Sequence, residues 1–316
     1  MSINGPFQAF KYAMTGHRIV KTIRASYELI RDSIISAIEA DFLSYGAALA
    51  YYTAFAIAPL FVIALAIAGF WFGPETASRE LFGQVNQLMG KEGSDAIQAM
   101  VTAAEKDRHG VWATVIAAIT LVVASVGVFT QLQNTLNRLW SVQSLPGRSV
   151  RNFIRHRLLS FAMVLVIGFL LLVSLLVSAG LSALGNYFGQ FISGPEIMVK
   201  IANPLVSLFV ITILFTLIFK LLPDVLIAWR DAWFGGFVTA VLFNGGKFLI
   251  GFYIARSSIT SVYGAVGSLI IVLAWVYYSA LILFFGAQMT RHFANRFGVK
   301  AKPIRGAIFM KNPTLK

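Results

Sequence analysis

Lys247 lies well inside Trp233–Arg256, an apolar stretch long enough to cross a bilayer. A charge at that depth costs about 3 kcal/mol or more unless something compensates it. Gly236, Ala240, Asn244, Lys247 and Gly251 recur at steps of three and four, which places them on one helical face. Small residues there let neighbouring helices approach, so that the asparagine and lysine point into protein. On a helix from about Ala232 to Ala255, Lys247 sits roughly 20 Å from one end and roughly 12 Å from the other. Two readings follow. Either the lysine bonds nearby carbonyls and reaches the outer interface, or it pairs with an anion in a water-filled or substrate-lined cavity. In the second reading Asn244 and Gln288 form a hydrogen-bonding wall, and Tyr277 adds a hydroxyl.

A second polar group closes the stretch Val111–Trp140. Gln131, Asn134 and Arg138 share a face, with Gln133 and Asn137 beside them. They form either a cytoplasmic mouth or ordinary hydrogen bonds at a helix end. Pro59, Gly245 and Gly246 are the candidate hinge points.

Other chemistries find little footing. The four histidines, His17, His109, His156 and His292, are scattered without a ligand spacing. None of the thirteen carboxylates falls within a predicted span, so no metal cluster is expected. Gly245-Gly246-Lys247-Phe248 has no hydroxyl residue after the lysine and no strand before it, which argues against a phosphate loop. No catalytic residue or cofactor is expected, and the absence of cysteine excludes disulfides.

These residues must be positioned by membrane helices. Of 316 residues, 58% are hydrophobic and 12% charged; a soluble domain carries about 25% charged residues. The expected fold is all-α with six spans: Phe42–Phe72, Val111–Trp140, Leu158–Phe188, Asn203–Leu222, the Lys247 stretch and Tyr263–Met289. Residues 1–41 form a cytoplasmic amphipathic segment and 42–292 the six-helix domain. Within it, residues 73–110 form a small outer-face helical cap, two short amphipathic helices around Gly90–Gly93. Residues 293–316 are a basic cytoplasmic tail. In the first segment Ile19, Ile23, Tyr27, Ile30, Ile34 and Ile38 oppose Lys21, Arg24, Arg31 and Asp32. Such a helix either lies along an anionic membrane surface or packs on the cytoplasmic ends of the bundle. Nineteen lysines and arginines fall on the side of the termini and six on the other, which predicts cytoplasmic termini. The net charge of +13 is thereby read as topology and anionic-lipid contact, not nucleic-acid binding.

GAALAYYTAFAIAPLFVIALA, QLQNTLNRLWSV, LLPDVLIAWRDAWFGG and YGAVGSLIIVLAWVYYSALILFFGAQMT follow one another in order along the chain. Together they resemble the YihY/BrkB family of bacterial inner-membrane proteins, formerly labelled ribonuclease BN, over about Asp41 to Phe297. The resemblance implies six transmembrane helices, residence in the inner membrane and a suggested transport role. The family pattern often carries glutamate three residues before the lysine, and again at the end of a GAE motif. This chain has Asn244 and Gln288 there, which keep hydrogen-bonding capacity but lose the charge.

The expected function is a transporter or flippase-like translocator of an anionic or amphipathic envelope molecule. A membrane scaffold for envelope assembly and a membrane-associated ribonuclease are the alternatives. Membrane lipids, above all anionic ones, are the expected partners, with assembly of like subunits left open.

Overall fold

A computed structural model of the chain describes residues 24–106, 111–144, 195–256, 265–304 and 306–310. It is mostly helical. Residues 24–39 form α1, and Asp41, in a left-handed conformation, turns the chain into α2, Phe42–Phe72. The remaining helices are α3, Pro74–Lys106, α4, Val111–Leu139, α5, Pro195–Leu221, α6, Trp229–Arg256, and α7, Ala265–Phe297. Among the described residues, α2, most of α5, α6 and α7 contain stretches long and apolar enough to cross a membrane. The helix α4 covers most of the expected second span. The expected third span, Leu158–Phe188, lies outside the described residues.

The bundle is held by residues that permit close backbone contact. A Cβ on Gly236 would collide with Thr216 Oγ1, so only glycine lets α6 approach α5 there. Gly235 faces Thr290 and Gly286 faces Thr239, which zips α6 against α7 in antiparallel register. Phe215, Phe243 and Trp275 then stack edge to face through the centre, with centroids 5.7 and 5.4 Å apart.

Sequence and structure part over residues 73–110. Two short helices do form, separated at Gly90, whose φ of 79° and ψ of 176° suit glycine almost alone. They do not rest on the helix ends as a cap. The first leg folds back along α2, stacking Phe82 on Phe61 at 6.0 Å, and its tip gives the Met89 carbonyl to Trp275 Nε1 at 3.1 Å. The second leg returns beside it, with Ser94 Oγ donating to Phe82 O at 3.1 Å. Val85, Ala96, Ile97 and Val101 join the central core. An amphipathic hairpin with this much apolar surface is best satisfied by wedging between α2, α6 and α7.

Of the C-terminal segment, residues 293–304 and 306–310 are described, and they are folded. The helix α7 runs on to Phe297, past residue 292. Among the described residues, four short strands follow helices: β1, Val142–Ser144, β2, Val225–Leu226, β3, Lys302–Pro303, and β4, Ala307–Phe309. The antiparallel pairs are β1 with β4 and β2 with β3. The segment thus straps the ends of α4 and α5 together over Trp140, Val142, Val225, Ile227 and Ala294.

Candidate functional site

Two polar regions emerge, one about two-thirds of the way along α6 and one at the end where β1–β4 gather. At the first, Lys247 is half-buried on the edge of the packed face of α6. Its Nζ lies 5.4 Å from the Phe248 ring centroid. The expected small-residue face is divided in the structure. Gly236 and Ala240 are buried, whereas Asn244, Lys247 and Gly251 border exposed Phe248 and Phe252. Asn244 Nδ2 donates to Ala240 O of its own helix at 2.9 Å, a bond that leaves its side-chain oxygen available. Gly245 and Gly251 have open space where a Cβ would stand.

The hydroxyl beside this part of α6 belongs to Tyr278. A Cβ on Gly246 would fall almost on its oxygen, so the hydroxyl end of the ring meets the helix there. Tyr277 turns the other way and packs on Gly46 of α2. Neighbouring residues on a helix point about 100° apart, so the two tyrosines cannot share a role. A glycine matched to a tyrosine on the next helix was the sequence signal for choosing between them.

Gln288 is not brought to Lys247. The pairs Gly235–Thr290 and Gly286–Thr239 place it level with the start of α6, roughly 15 Å along the helix from Lys247. There it is 1% exposed, and its Nε2 donates to Ser36 O of α1 at 3.4 Å. His292 Nε2 lies 3.0 Å from Ser36 Oγ one turn further on. The two hinge candidates on α6, Gly245 and Gly246, lie within unbroken helix, and α2 also continues through Pro59.

At the strand-bearing end, the patch read from Gln131, Asn134 and Arg138 is the outer side of α4. Asn134 and Arg138 are exposed, Arg138 stands 5.5 Å over the Tyr45 ring, and Gln131 Nε2 reaches Thr135 Oγ1 at 3.5 Å. The neighbouring pair carries the structure. Asn137 and Gln133 turn inward onto Asp224, which is 4% exposed. Asp231, 1% exposed, opens α6, where the helix dipole favours a negative charge, and accepts Val299 N–H at 3.3 Å.

Several cations at this end cap helix carbonyls instead of awaiting ligands. Arg291 Nη1 donates to Leu139 O at 2.6 Å, at the end of α4. Arg230 Nη2 donates to Phe297 O at 3.1 Å, at the end of α7. Lys220, in the last turn of α5, instead donates to Ile227 O in the loop before α6 and lies over Trp229. Positive charge is stabilised where unpaired carbonyls end a helix. The charge asymmetry of the chain therefore has a local structural use. Among the described residues, no three histidines or carboxylates gather closely enough to hold a metal ion.

Comparison with known proteins agrees with this membrane architecture. A family model described as virulence factor BrkB matches residues 35–307. The chain is 33% identical over 177 residues to a UPF0761 membrane protein of Ralstonia nicotianae, covering 56% of this chain and 38% of that one. It is 28% identical to a UPF0761 membrane protein of Idiomarina loihiensis, covering 68% and 72% of the two chains. A third, from Azotobacter vinelandii, is 27% identical over 77% of this chain and 57% of its own. The chain thus spans only part of the length of these relatives. No solved structure matches it.

Proposed function

Because the chain belongs to the BrkB family of membrane proteins, we propose that it translocates an anionic or amphipathic envelope molecule. The spans in this reading number six, in the bacterial inner membrane, with both termini cytoplasmic. The observation that carries it is the setting of Lys247. A cationic side chain stands about two-thirds of the way along an apolar helix, with the open flank of Gly251 one turn further on the same side and the face that receives the Tyr278 hydroxyl one residue away. An intramembrane lysine in such a setting is a natural relay for a negatively charged headgroup.

Asn244 keeps a free acceptor oxygen within one turn of the lysine, and Tyr278 replaces Tyr277 as the neighbouring hydroxyl. Gln288 leaves the site and takes a docking role. The reading needs no metal, nucleotide or carboxylate.

The test is flipping of fluorescent phosphatidylglycerol and phosphatidylcholine by the full chain in proteoliposomes. Wild type should move the anionic lipid faster, and Lys247→Met should slow it at least tenfold with helix content unchanged. Lys247→Arg should retain part of the rate, because its guanidinium keeps the charge but changes shape and hydration. Equal rates for wild type and Lys247→Met would end the reading and favour a scaffold.

A further inference from the structure

The helix α1 has three distinct sides. Leu29, Ser33 and Ala37 recur at steps of four and are buried, with Ser36 beside them. This small side docks on α7. Its contacts run from Gln288 and His292, which meet Ser36, to Arg296, which donates to Glu28. The second side holds Tyr27, Ile30, Ile34 and Ile38, which are 64%, 46%, 45% and 59% exposed. The third side carries Arg24, Glu28, Arg31, Asp32 and Glu39.

The isoleucines were expected to be the packing face if α1 joins the bundle. Small residues take that place instead, because they let α1 lie close against α7. What covers the isoleucines can be read from three observations. First, the helix that follows past Asp41 also exposes Leu43, Tyr51, Tyr52 and Phe55, apolar residues at the start of the candidate span α2. Second, Ser36 meets Gln288 while nearby Thr290 meets Gly235, so α1 docks level with the first turns of α6. There α6 itself exposes Trp233 and Phe237, in a candidate span. Third, Arg24 and Arg31 lie on the next sector round the helix, bonded to Glu28 and Asp32 but still exposed, so that their guanidinium groups have donors to spare for phosphates beside an apolar edge.

We propose that the Tyr27–Ile30–Ile34–Ile38 side of α1 is occupied by the acyl chains of an anionic bilayer, with Arg24 and Arg31 at its phosphates. The helix is thereby a lipid-binding wedge, clamped to the bundle by its small side and dipped into the leaflet by its isoleucines. This assignment is independent of translocation and of Lys247.

The natural chain has no cysteine, so single labels can be placed without background. Spin labels at Ile34→Cys and Glu39→Cys are compared in the full chain, in vesicles of phosphatidylglycerol with phosphatidylcholine. The Ile34 label should collide with oxygen more than with a water-soluble nickel chelate, at a depth below the phosphates. The Glu39 label should show the reverse. In Arg24→Gln/Arg31→Gln protein the Ile34 label should move outward in anionic vesicles and stay unchanged in purely neutral ones. Nickel access at Ile34 equal to that at Glu39 would mean a water-facing side and overturn the proposal. So would dipolar broadening at Ile34, the mark of a second copy, or an Ile34 depth indifferent to both the arginines and the headgroup charge.

Discussion

Asn137 grips Asp224 twice, with its Nδ2 2.9 Å from Oδ2 and its Oδ1 accepting the Asp224 backbone N–H at 2.7 Å. The end of α4 is thereby fixed to the loop between α5 and α6, 87 residues away in sequence. Gln133 Nε2 adds a longer contact to Asp224 Oδ1 at 3.4 Å. The strands built on the same loops then bring the C-terminal segment across this junction.

Removing the grip should be costly because it takes a donor from the buried Asp224 carboxyl and an acceptor from its backbone N–H. Asn137→Ala should lower stability by about 2–3 kcal/mol, seen as a lower midpoint of thermal unfolding in detergent. Asp224→Asn should cost less, since an amide oxygen still accepts from Asn137. An unchanged midpoint for Asn137→Ala would show that Gln133 and the strands hold the junction without it.

The hairpin α3 turns on the backbone of Gly90. Gly90→Ala should cost about 1–3 kcal/mol through its positive φ alone, because only Glu92 Oε2, at 3.7 Å, would be near the added methyl. Gly83→Ala is the control: it has open space in helical backbone, and alanine there should gain roughly 0.5–1 kcal/mol. Opposite shifts in unfolding midpoint are expected, with Gly90→Ala also admitting protease between the two legs. Equal shifts would remove the case for a conformation reserved to glycine.

Docking of α1 should respond to acid. Hydrogen bonds from Arg296 and then Arg24 hold the Glu28 carboxyl below its usual range. A carboxyl lowered in the folded state contributes fully above its unfolded value, about 4.3, and loses that contribution as pH falls through the folded value. The mobility of a spin label at Glu39 should therefore stay constant from about pH 8 to 5 and rise below about pH 4. The pair is exposed, so the change should be small. Glu28→Gln should abolish it, and an identical acid response in that variant would assign the effect elsewhere.

Much of this architecture was legible in the chain because bilayer-spanning helices announce themselves locally. The Lys247 helix was expected over Trp233–Arg256 and extends over Trp229–Arg256; the extra turn carries Asp231, a charge that only tertiary contacts could bury. The two legs around Gly90 were visible from their periodicity, but not their depth, which depends on Trp275 on a helix 186 residues away. Likewise Gln131, Asn134 and Arg138 were read as the polar patch when Gln133 and Asn137 hold the buried aspartate. Periodicity shows that residues share a face; it does not show which face meets a partner. The α1 stripe misleads for the same reason, since in a membrane protein the apolar side of a helix need not be its packed side.

The two glycines beside Lys247 separate hinge from packing. A Cβ on Gly246 would collide with the Tyr278 ring and hydroxyl, so Gly246→Ala should destabilise by about 1–3 kcal/mol. Tyr278→Val should relieve most of that loss, because it removes the atoms the methyl would strike. Gly245→Ala meets nothing within 4 Å and lies in continuous helix, so it should raise stability by roughly 0.5–1 kcal/mol. That variant leaves Lys247, Asn244 and Tyr278 in place while restricting the backbone. If α6 must bend at Gly245 for lipid to pass, Gly245→Ala should unfold at a higher temperature and flip phosphatidylglycerol several-fold more slowly. If the glycines serve only close packing, the flipping rate should equal that of wild type while the midpoint still rises. Measuring rate and midpoint on the same preparation decides between the two, and a hinge at Gly245 is excluded by the second result.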